Sequence, residues 1–240
     1  MFNSEFGKTE CWHILGGRSI NGEAPCIYFG FKEGVTRQIW KQYFDEQDIQ
    51  GMLDCMHKIP VKKGETYLIK GGVPHAIGAG CFLTEIQEPT DYTIRVERVT
   101  VSGQKIDDRQ CHQGLGFDKM FDCFHYNGMS KQEVVDAWSI KKTVIEKTDC
   151  ALYESYINNK DTDMFSLYNI SLSNGEYELK LPEYFSGIYV LNGCGELMCG
   201  EKTYKINKTD QFFLPAGCKQ VTFKTDNDLE ILHFFGPAVE

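Results

Sequence analysis

The chain has 240 residues, of which 42% are hydrophobic and 25% charged, fractions typical of globular rather than disordered proteins. Its formal net charge of -9 argues against a general nucleic-acid or anionic-membrane surface. No apolar run reaches the ~18 residues of a membrane helix, and residues 1–5 lack the pattern of a secretory signal. We therefore expect a cytoplasmic protein, with no nucleic-acid or membrane partner, whose ten cysteines are mostly reduced thiols filling the core.

The first hundred residues predict strands interrupted by helices. Residues 7–15 alternate in polarity as a strand does, and Cys26–Phe31 is a second short apolar run. Across residues 36–57 the apolar side chains recur three or four apart, which predicts two short helices broken near residues 45–48. Three more strands are expected between Gly- and Pro-containing turns, at 65–69, Cys81–Gln87 and 92–101.

The second half of the chain begins with a mixed connector and continues as strands. Helices are predicted at 117–125 and Lys131–Trp138, with Ser130 as the N-cap of the second. Short strands follow at 166–172, 177–181, 187–191, 195–199, 202–206, Gln211–Leu214, 221–223 and 230–235. The pair Asn192-Gly193 lies between two apolar runs, a pattern that indicates a hairpin. Strands at this spacing favour a sandwich or a barrel.

Two segments of the chain resemble each other. Residues 63–75 and 208–220 each run from a basic residue through a turn and an aromatic strand to a second turn. Such an internal repeat suggests two versions of one β-barrel. The first copy ends in His75 and the second in Gln220, so a metal site at His75 would have no counterpart in the second barrel.

Polar side chains on the predicted strands form a candidate site. The sets that share a strand face are Lys8 with Glu10, Glu85 with Gln87, and Asp91 with Thr93 and Arg95. In a small barrel such faces can line a cavity, where Glu and His are ordinary zinc ligands and Lys and Arg could hold an anion. The alternative is a solvated strand face with His75 as a surface or capping residue. The other histidines show no ligand spacing and are expected to be structural or exposed: His13, His57, His112, His125 and His233.

Three segments carry a resemblance to a known family. They are Gly-Lys-Thr-Glu-Cys-Trp at 7–12, Gly-Val-Pro-His-Ala-Ile-Gly-Ala-Gly at 72–80, and Glu-Ile-Gln-Glu-Pro-Thr-Asp-Tyr-Thr-Ile-Arg at 85–95. In order and interval they resemble type I mannose-6-phosphate isomerases of the bacterial short form. The resemblance covers nearly the whole chain.

The resemblance implies a mainly β protein with two cupin-type (jelly-roll) β-barrels, a helical insertion and a helical connector. Residues 1–106 are expected to form the first barrel, with the insertion at 35–59, and to carry the active site. Residues 107–142 are expected to be the connector, and residues 143–240 a second, metal-free barrel.

The resemblance also implies an active site. The family's metal ligands fall on Glu10 and His75, which implies one Zn²⁺ per chain, in the first barrel. The family's active-site Lys and Arg fall on Lys8 and Arg95, and its acidic residue on Asp91. The implied reaction interconverts mannose 6-phosphate and fructose 6-phosphate by moving a proton between C2 and C1 through an enediol. The general base stays open between Asp91 and Glu85, which are candidates by face and reach.

One family feature has no match upstream of Gly7. The family takes two more metal ligands from a Gln-x-His segment upstream of Gly-Lys-Thr-Glu, and residues 1–6 contain none; the Gln-x-His at 110–112 follows Gly-Lys-Thr-Glu instead. A fragment, a mis-called gene start or a shortened relative would each explain this, and we expect impaired activity in each case. Two other functions remain open: a non-catalytic sugar-phosphate-binding bicupin, and another cupin enzyme such as a metal-dependent oxygenase, although the latter's usual His-x-His strand is absent. The oligomeric state is not predicted.

Overall fold

The computed structural model describes residues 7–237. The interpretation of residues 1–5, and the outer predicted domain bounds at 1 and 240, lie outside the described residues. The chain divides into two compact units between Ser139 and Ile140. The finer domain bounds, including the connector at 107–142, stay a prediction. No helix within residues 7–237 is long and apolar enough to cross a membrane.

Strands of the first unit form two sheets. The strands are β1 (Glu10–Gly17), β2 (Cys26–Phe31), β3 (Met56–Pro60), β4 (Thr66–Ile69), β5 (His75–Ile77), β6 (Cys81–Gln87) and β7 (Ser139–Ile140). One sheet has the order β6-β1-β4-β7 and the other β3-β2-β5. Side chains from both sheets share one apolar cluster that includes Trp12, Phe29 and Tyr67. Burial of these large rings is the main force that holds the two sheets together.

The predicted pair of helices is confirmed. The helices are α1 (Arg37–Glu46) and α2 (Ile49–Asp54). The first ends because Gln47 adopts a left-handed conformation, and the second begins because the Asp48 side chain accepts a hydrogen bond from the Gly51 amide. Trp40 and Phe44 on α1 are buried in a second apolar cluster, as their spacing predicts.

Three further helices follow in the first unit. Those predicted from the sequence are α4 (Phe117–Met120), continued by a 3₁₀ turn (Phe121–Cys123), and α5 (Lys131–Trp138). The predicted N-cap is confirmed, because Ser130 and Glu133 form a reciprocal capping box. The helix α3 (Asp108–His112) was not predicted, since a five-residue helix is too short to show apolar periodicity.

The strand predicted at 92–101 is wrong. This segment is irregular, although its side chains alternate in polarity. Its backbone groups bond to a helix and to side chains instead of to a neighbouring strand: the Arg95 amide donates to the Cys111 carbonyl on α3, and the Arg98 amide donates to Gln47 Oε1. Alternation alone therefore did not identify a strand here, because a strand also needs a partner for its backbone.

The second unit is a seven-stranded antiparallel sheet. Its strands are β8 (Thr143–Lys147), β9 (Ala151–Ile157), β10 (Ser166–Lys180), β11 (Ser186–Cys199), β12 (Lys202–Asn207), β13 (Gln211–Leu214) and β14 (Gln220–Phe235). Six of them have the order β12-β11-β14-β10-β9-β8, and β13 pairs with β11. The core consists of apolar side chains from β10, β11 and β14, including Ile170, Val190 and Phe223. The prediction of a mainly β protein is confirmed.

The hairpin predicted at Asn192-Gly193 is wrong. The two flanking runs belong to one continuous strand, β11, whose pairing with β14 shifts register around these residues. Gly193 has φ +85°, and a Cβ there would lie 2.0 Å from the Asp228 carbonyl oxygen. The glycine therefore allows a bulge and close approach of a neighbouring strand, rather than a turn. The predicted short strands in β10 and β14 likewise join into longer ones, and β10 shifts register between Ser173 and Gly175.

The two similar segments have similar backbone structure. The strands β4 and β13 occupy matching positions in the two segments, and each has four residues. A turn follows each strand, and the matching ends of the segments, His75 and Gln220, each begin the next strand. The internal repeat is therefore structural as well as compositional.

Candidate functional site

Strand pairing aligns the first set of candidate side chains. Across the β1–β6 pair, Glu10 lies opposite Gln87 and Trp12 lies opposite Glu85. Directly opposed residues project to the same face of a sheet, so Glu85 reaches the indole of Trp12. The Trp12 Nε1–H group donates a hydrogen bond of 2.9 Å to Glu85 Oε2.

The ammonium group of Lys8 lies between two carboxylates. Its Nζ forms a short ion pair with Glu10 Oε1 and lies 3.7 Å from Glu85 Oε1. The side chains of Lys8 and Glu10 are only 14% and 4% exposed. A buried carboxylate needs such partners, because the loss of hydration is otherwise not compensated.

His75 is held by a tight turn. Gly72 in this turn has φ +83°, a conformation that glycine adopts without strain. The Pro74 carbonyl accepts a bond from the Gly30 amide, and the Gly72 carbonyl accepts one from the His125 amide. The Nδ1 atom of His75 lies 2.7 Å from the Val73 carbonyl oxygen, so Nδ1 carries the proton and donates.

The second ring nitrogen of His75 faces Glu10. Its Nε2 lies 3.7 Å from Glu10 Oε1, and the ring packs edge-on against Trp12 at 5.3 Å between centroids. A hydrogen bond from the far nitrogen to a backbone carbonyl is the arrangement that orients metal-binding histidines. His75 and Glu10 thus converge although they belong to different sheets.

The pKa of Glu10 shows how these contacts balance. Burial raises it, but the contacts with His75 and Lys8 lower it by more, so the pKa lies below its ordinary value of 4.5. Glu10 is therefore ionised at neutral pH. An ionised carboxylate beside an imidazole and an ammonium can bind a cation or orient a polar substrate.

Arg95 reaches the same region from the irregular segment that follows β6. Its backbone amide donates to the Cys111 carbonyl on α3 at 3.0 Å, and its guanidinium donates to the Gln110 carbonyl at 3.0 Å. Asp91 lies 3.9 Å from the guanidinium and has an 81% exposed side chain. The helix α3, which sequence reasoning missed, therefore anchors Arg95.

A cavity of about 590 Å³ in the first unit joins these groups. Lys8, Glu10, His75 and Arg95 line it, whereas Glu85 and Asp91 do not. Much of the remaining wall is apolar, with contributions from α2 and the irregular segment: Ile49, Met52, Leu53, Met56, Tyr92, Ile94 and Phe124. A concave, mostly apolar pocket with a few convergent charged groups is the usual form of a small-molecule site.

The donors fit a divalent metal in type but are few. Glu10 Oε1 and His75 Nε2 are close enough to bind one ion, whereas a catalytic zinc usually has three protein ligands. Within residues 7–237 no group of three or more His, Cys, Asp or Glu side chains could hold a metal. The described residues thus offer two ligands and do not complete a zinc site.

Two residues that support the site were missed in the sequence. Trp12 orients Glu85 and packs on His75, whereas the sequence placed it only in a motif and on the strand face of Lys8 and Glu10, with no role in the site. Glu88 is 2% exposed and bonds to the backbone on both sides of Lys8. Glu88 directly follows the predicted strand Cys81–Gln87, and this position does not indicate that its side chain is buried. Glutamate side chains are usually exposed, so the sequence gave no reason to single it out.

Sheet topology, the internal repeat and the site together define a mainly β protein whose fold is consistent with the cupins. The family model of the mannose-6-phosphate isomerase cupin domain matches residues 156–233, which lie in the second unit. Mannose-6-phosphate isomerase of Streptococcus mutans serotype c is 26% identical over 95% of this chain and 64% of its own length. Mannose-6-phosphate isomerase ManA of Bacillus subtilis is 28% identical over 90% of this chain and 61% of its own.

A solved structure shows the same fold. The crystal structure of mannose 6-phosphate isomerase from Bacillus subtilis matches with a TM-score of 0.72 and 23% identity, over 95% of this chain and 64% of that one. These comparisons confirm the resemblance to type I mannose-6-phosphate isomerases. The chain spans less than two thirds of the length of these relatives.

Proposed function

We propose that the chain is an aldose–ketose isomerase that interconverts mannose 6-phosphate and fructose 6-phosphate. The observation that carries the proposal is the cavity where Lys8, Glu10, His75 and Arg95 converge, in a chain similar to mannose-6-phosphate isomerases over most of its length. We include in the proposal an arrangement as two cupin barrels, a cytoplasmic location and a sugar-phosphate substrate.

Two cations would bind the anionic parts of the substrate. Lys8 and Arg95 both line the cavity, and fixed backbone contacts hold Arg95 in place. Positive groups that are already oriented stabilise an oxyanion better than mobile water does. We assign Lys8 to the oxygens of the developing enediol, because it lies against Glu10, and Arg95 to the oxyanion or the phosphate.

Glu85 and Asp91 are the two general-base candidates. Its Oε2 accepts the Trp12 hydrogen bond, and its Oε1 lies 3.7 Å from the Lys8 ammonium that borders the cavity. Asp91 is largely exposed and lies beside Arg95. Neither carboxylate lines the cavity, so the proposal leaves the general base open between Glu85, which lies near Lys8, and Asp91, which lies beside the guanidinium.

The proposal includes one Zn²⁺ per chain, with Glu10 and His75 as two of its ligands. When bound, such an ion would polarise the substrate oxygens and stabilise the negative charge of the enediol. The second unit has no part in metal binding in this proposal. In that unit both ring nitrogens of His233 are close to hydroxyls, those of Tyr153 and Ser186.

A coupled assay tests the proposal. The purified 240-residue chain, with added Zn²⁺, is given mannose 6-phosphate, and fructose 6-phosphate is measured. We expect turnover that Lys8→Met and Arg95→Met each lower by about 100-fold or more, since each removes a charge at the reacting centre. The matched control is Glu23→Gln, which changes an exposed carboxylate that pairs with Lys58 outside the cavity.

Turnover that is lost in both variants and kept in the control supports the proposal, whether the rate is fast or slow. A folded chain with no turnover above background would contradict it. If that inactive chain still bound fructose 6-phosphate in calorimetry, the non-catalytic binding function would replace the isomerase.

A further inference from the structure

Glu88 is a buried acid whose role the reaction does not explain. It directly follows β6 and is 2% exposed. Each of its carboxylate oxygens accepts a different backbone hydrogen bond at 2.9 Å: Oε2 from the Gly7 amide and Oε1 from the Thr9 amide. These two amides flank Lys8, so the carboxylate spans the residue that carries the ammonium.

The backbone around Glu88 extends the same contact. The Glu88 amide donates to the Thr9 carbonyl at 3.0 Å, and the Thr90 hydroxyl donates to the Gly7 carbonyl. Together these bonds engage both polar backbone groups of Gly7 and of Thr9. The segment before β1 is thereby fixed at two points, with Lys8 between them and Glu10 directly after.

The chemistry favours a carboxylate at this position. Two parallel N–H groups match the two acceptor oxygens of a carboxylate, and bonds to an ionised acceptor are about twice as strong as neutral ones. A glutamine has one acceptor oxygen, so it would leave the other N–H group facing its own amide donor. Buried donors that lose their acceptor destabilise the local backbone.

We propose that Glu88 is a positioning residue, which fixes the backbone at Gly7–Thr9 so that Lys8 and Glu10 project into the cavity. Its effect on turnover rests on the proposed isomerase function. Its effect on Lys8 does not, because that effect is a matter of backbone geometry alone.

The experiment compares Glu88→Gln with Glu154→Gln. Glu154 is also buried, at 5% exposed, but it lies in the other unit and pairs with Lys142 at 2.9 Å. We expect Glu88→Gln to speed hydrogen exchange at the Gly7 and Thr9 amides and to speed acetylation of Lys8, both read by mass spectrometry or NMR. We also expect kcat to fall about 10-fold to 100-fold with a smaller change in KM, the size expected for a displaced catalytic group.

The control separates positioning from general destabilisation. Glu154→Gln should lower the melting temperature without changing exchange at Gly7 and Thr9, Lys8 acetylation or kcat. Thr90→Val provides a milder second variant, which should move the same readouts in the same direction if Glu88→Gln does not fold.

The measurements decide whether Glu88 positions Lys8. Unchanged Lys8 acetylation and unchanged exchange at Gly7 and Thr9 in a folded variant would overturn the inference. So would faster exchange with unaltered Lys8 acetylation, since the backbone contact would then not control the side chain. If the unsubstituted chain lacks isomerase activity, the proposed function fails, and the acetylation rates still decide the role of Glu88.

Discussion

His233 makes the second unit sensitive to acid by a calculable amount. The side chain is 1% exposed, and its ring lies among aromatic side chains, with hydrogen bonds to Ser186 and Tyr153. Burial lowers the pKa of His233 from 6.5 to about 3. One unit of pKa corresponds to about 1.4 kcal/mol, so the neutral ring contributes about 5 kcal/mol to stability when the whole interval is titrated.

The direction of this pH dependence follows from proton binding to His233 in the folded and unfolded states. Between pH 6.5 and about 3 the unfolded chain carries a proton on His233 and the folded chain does not. This contribution is therefore complete above pH 6.5 and is lost as the pH falls toward 3. Between pH 7 and pH 4 we expect the second unit to lose about 3 kcal/mol of unfolding free energy through this residue alone.

The assay is hydrogen exchange of the β10 and β14 amides in increasing urea at pH 7 and pH 4, corrected for intrinsic exchange rates. The variant His233→Gln should show a pH-dependent loss that is smaller by about 3 kcal/mol. Ser186→Ala is the control: it removes a hydrogen-bond partner but keeps the ring, so it should lower stability at both pH values and leave most of the difference. An equal pH dependence in His233→Gln and in the unsubstituted chain would refute the reasoning.

Two further predictions concern the first unit. Trp12→Phe keeps an aromatic ring beside His75 but removes the hydrogen bond to Glu85, so kcat should fall about 10-fold, as expected for about 1.4 kcal/mol. The smaller ring also leaves a cavity in the core, so the unfolding free energy should fall by about 1–2 kcal/mol. An unchanged kcat would mean that Glu85 needs no orientation. Gly72→Ala places a Cβ at φ +83° and 2.9 Å from the His125 ring, so the unfolding free energy should fall by about 1–2 kcal/mol in a urea titration. A stability equal to that of the unsubstituted chain would show that the turn relaxes without cost.

Sequence periodicity predicted the helices and strands whose own residues carry a local pattern. The helices at 36–57 were recognised because their apolar side chains recur three or four apart, and Cys81–Gln87 because it lies between Gly- and Pro-containing turns. The same pattern at 92–101 gave a wrong strand. Nothing in those ten residues shows that no neighbouring strand accepts their backbone groups.

Long, bent strands were the second weakness of the sequence reasoning. A glycine in an apolar run signals either a turn or a bulge, and the choice depends on what packs against it. At Gly193 the neighbouring Asp228 carbonyl occupies the space of a side chain, so the strand bends and continues. That contact joins residues 35 positions apart and cannot be read from the local sequence.

The candidate site was partly predictable for a different reason. Glu10 is a buried carboxylate, and its ionised form needs cations nearby. A basic side chain must therefore lie beside it in the fold. Lys8 meets this need two residues earlier on the same strand face, where periodicity reveals it. His75 and Arg95 arrive through a glycine turn and a short helix, whose directions only the folded backbone sets. The chemistry of a buried carboxylate therefore predicts which residue types such a site contains. The residues that support the site, above all Trp12 and Glu88, are determined by the three-dimensional packing.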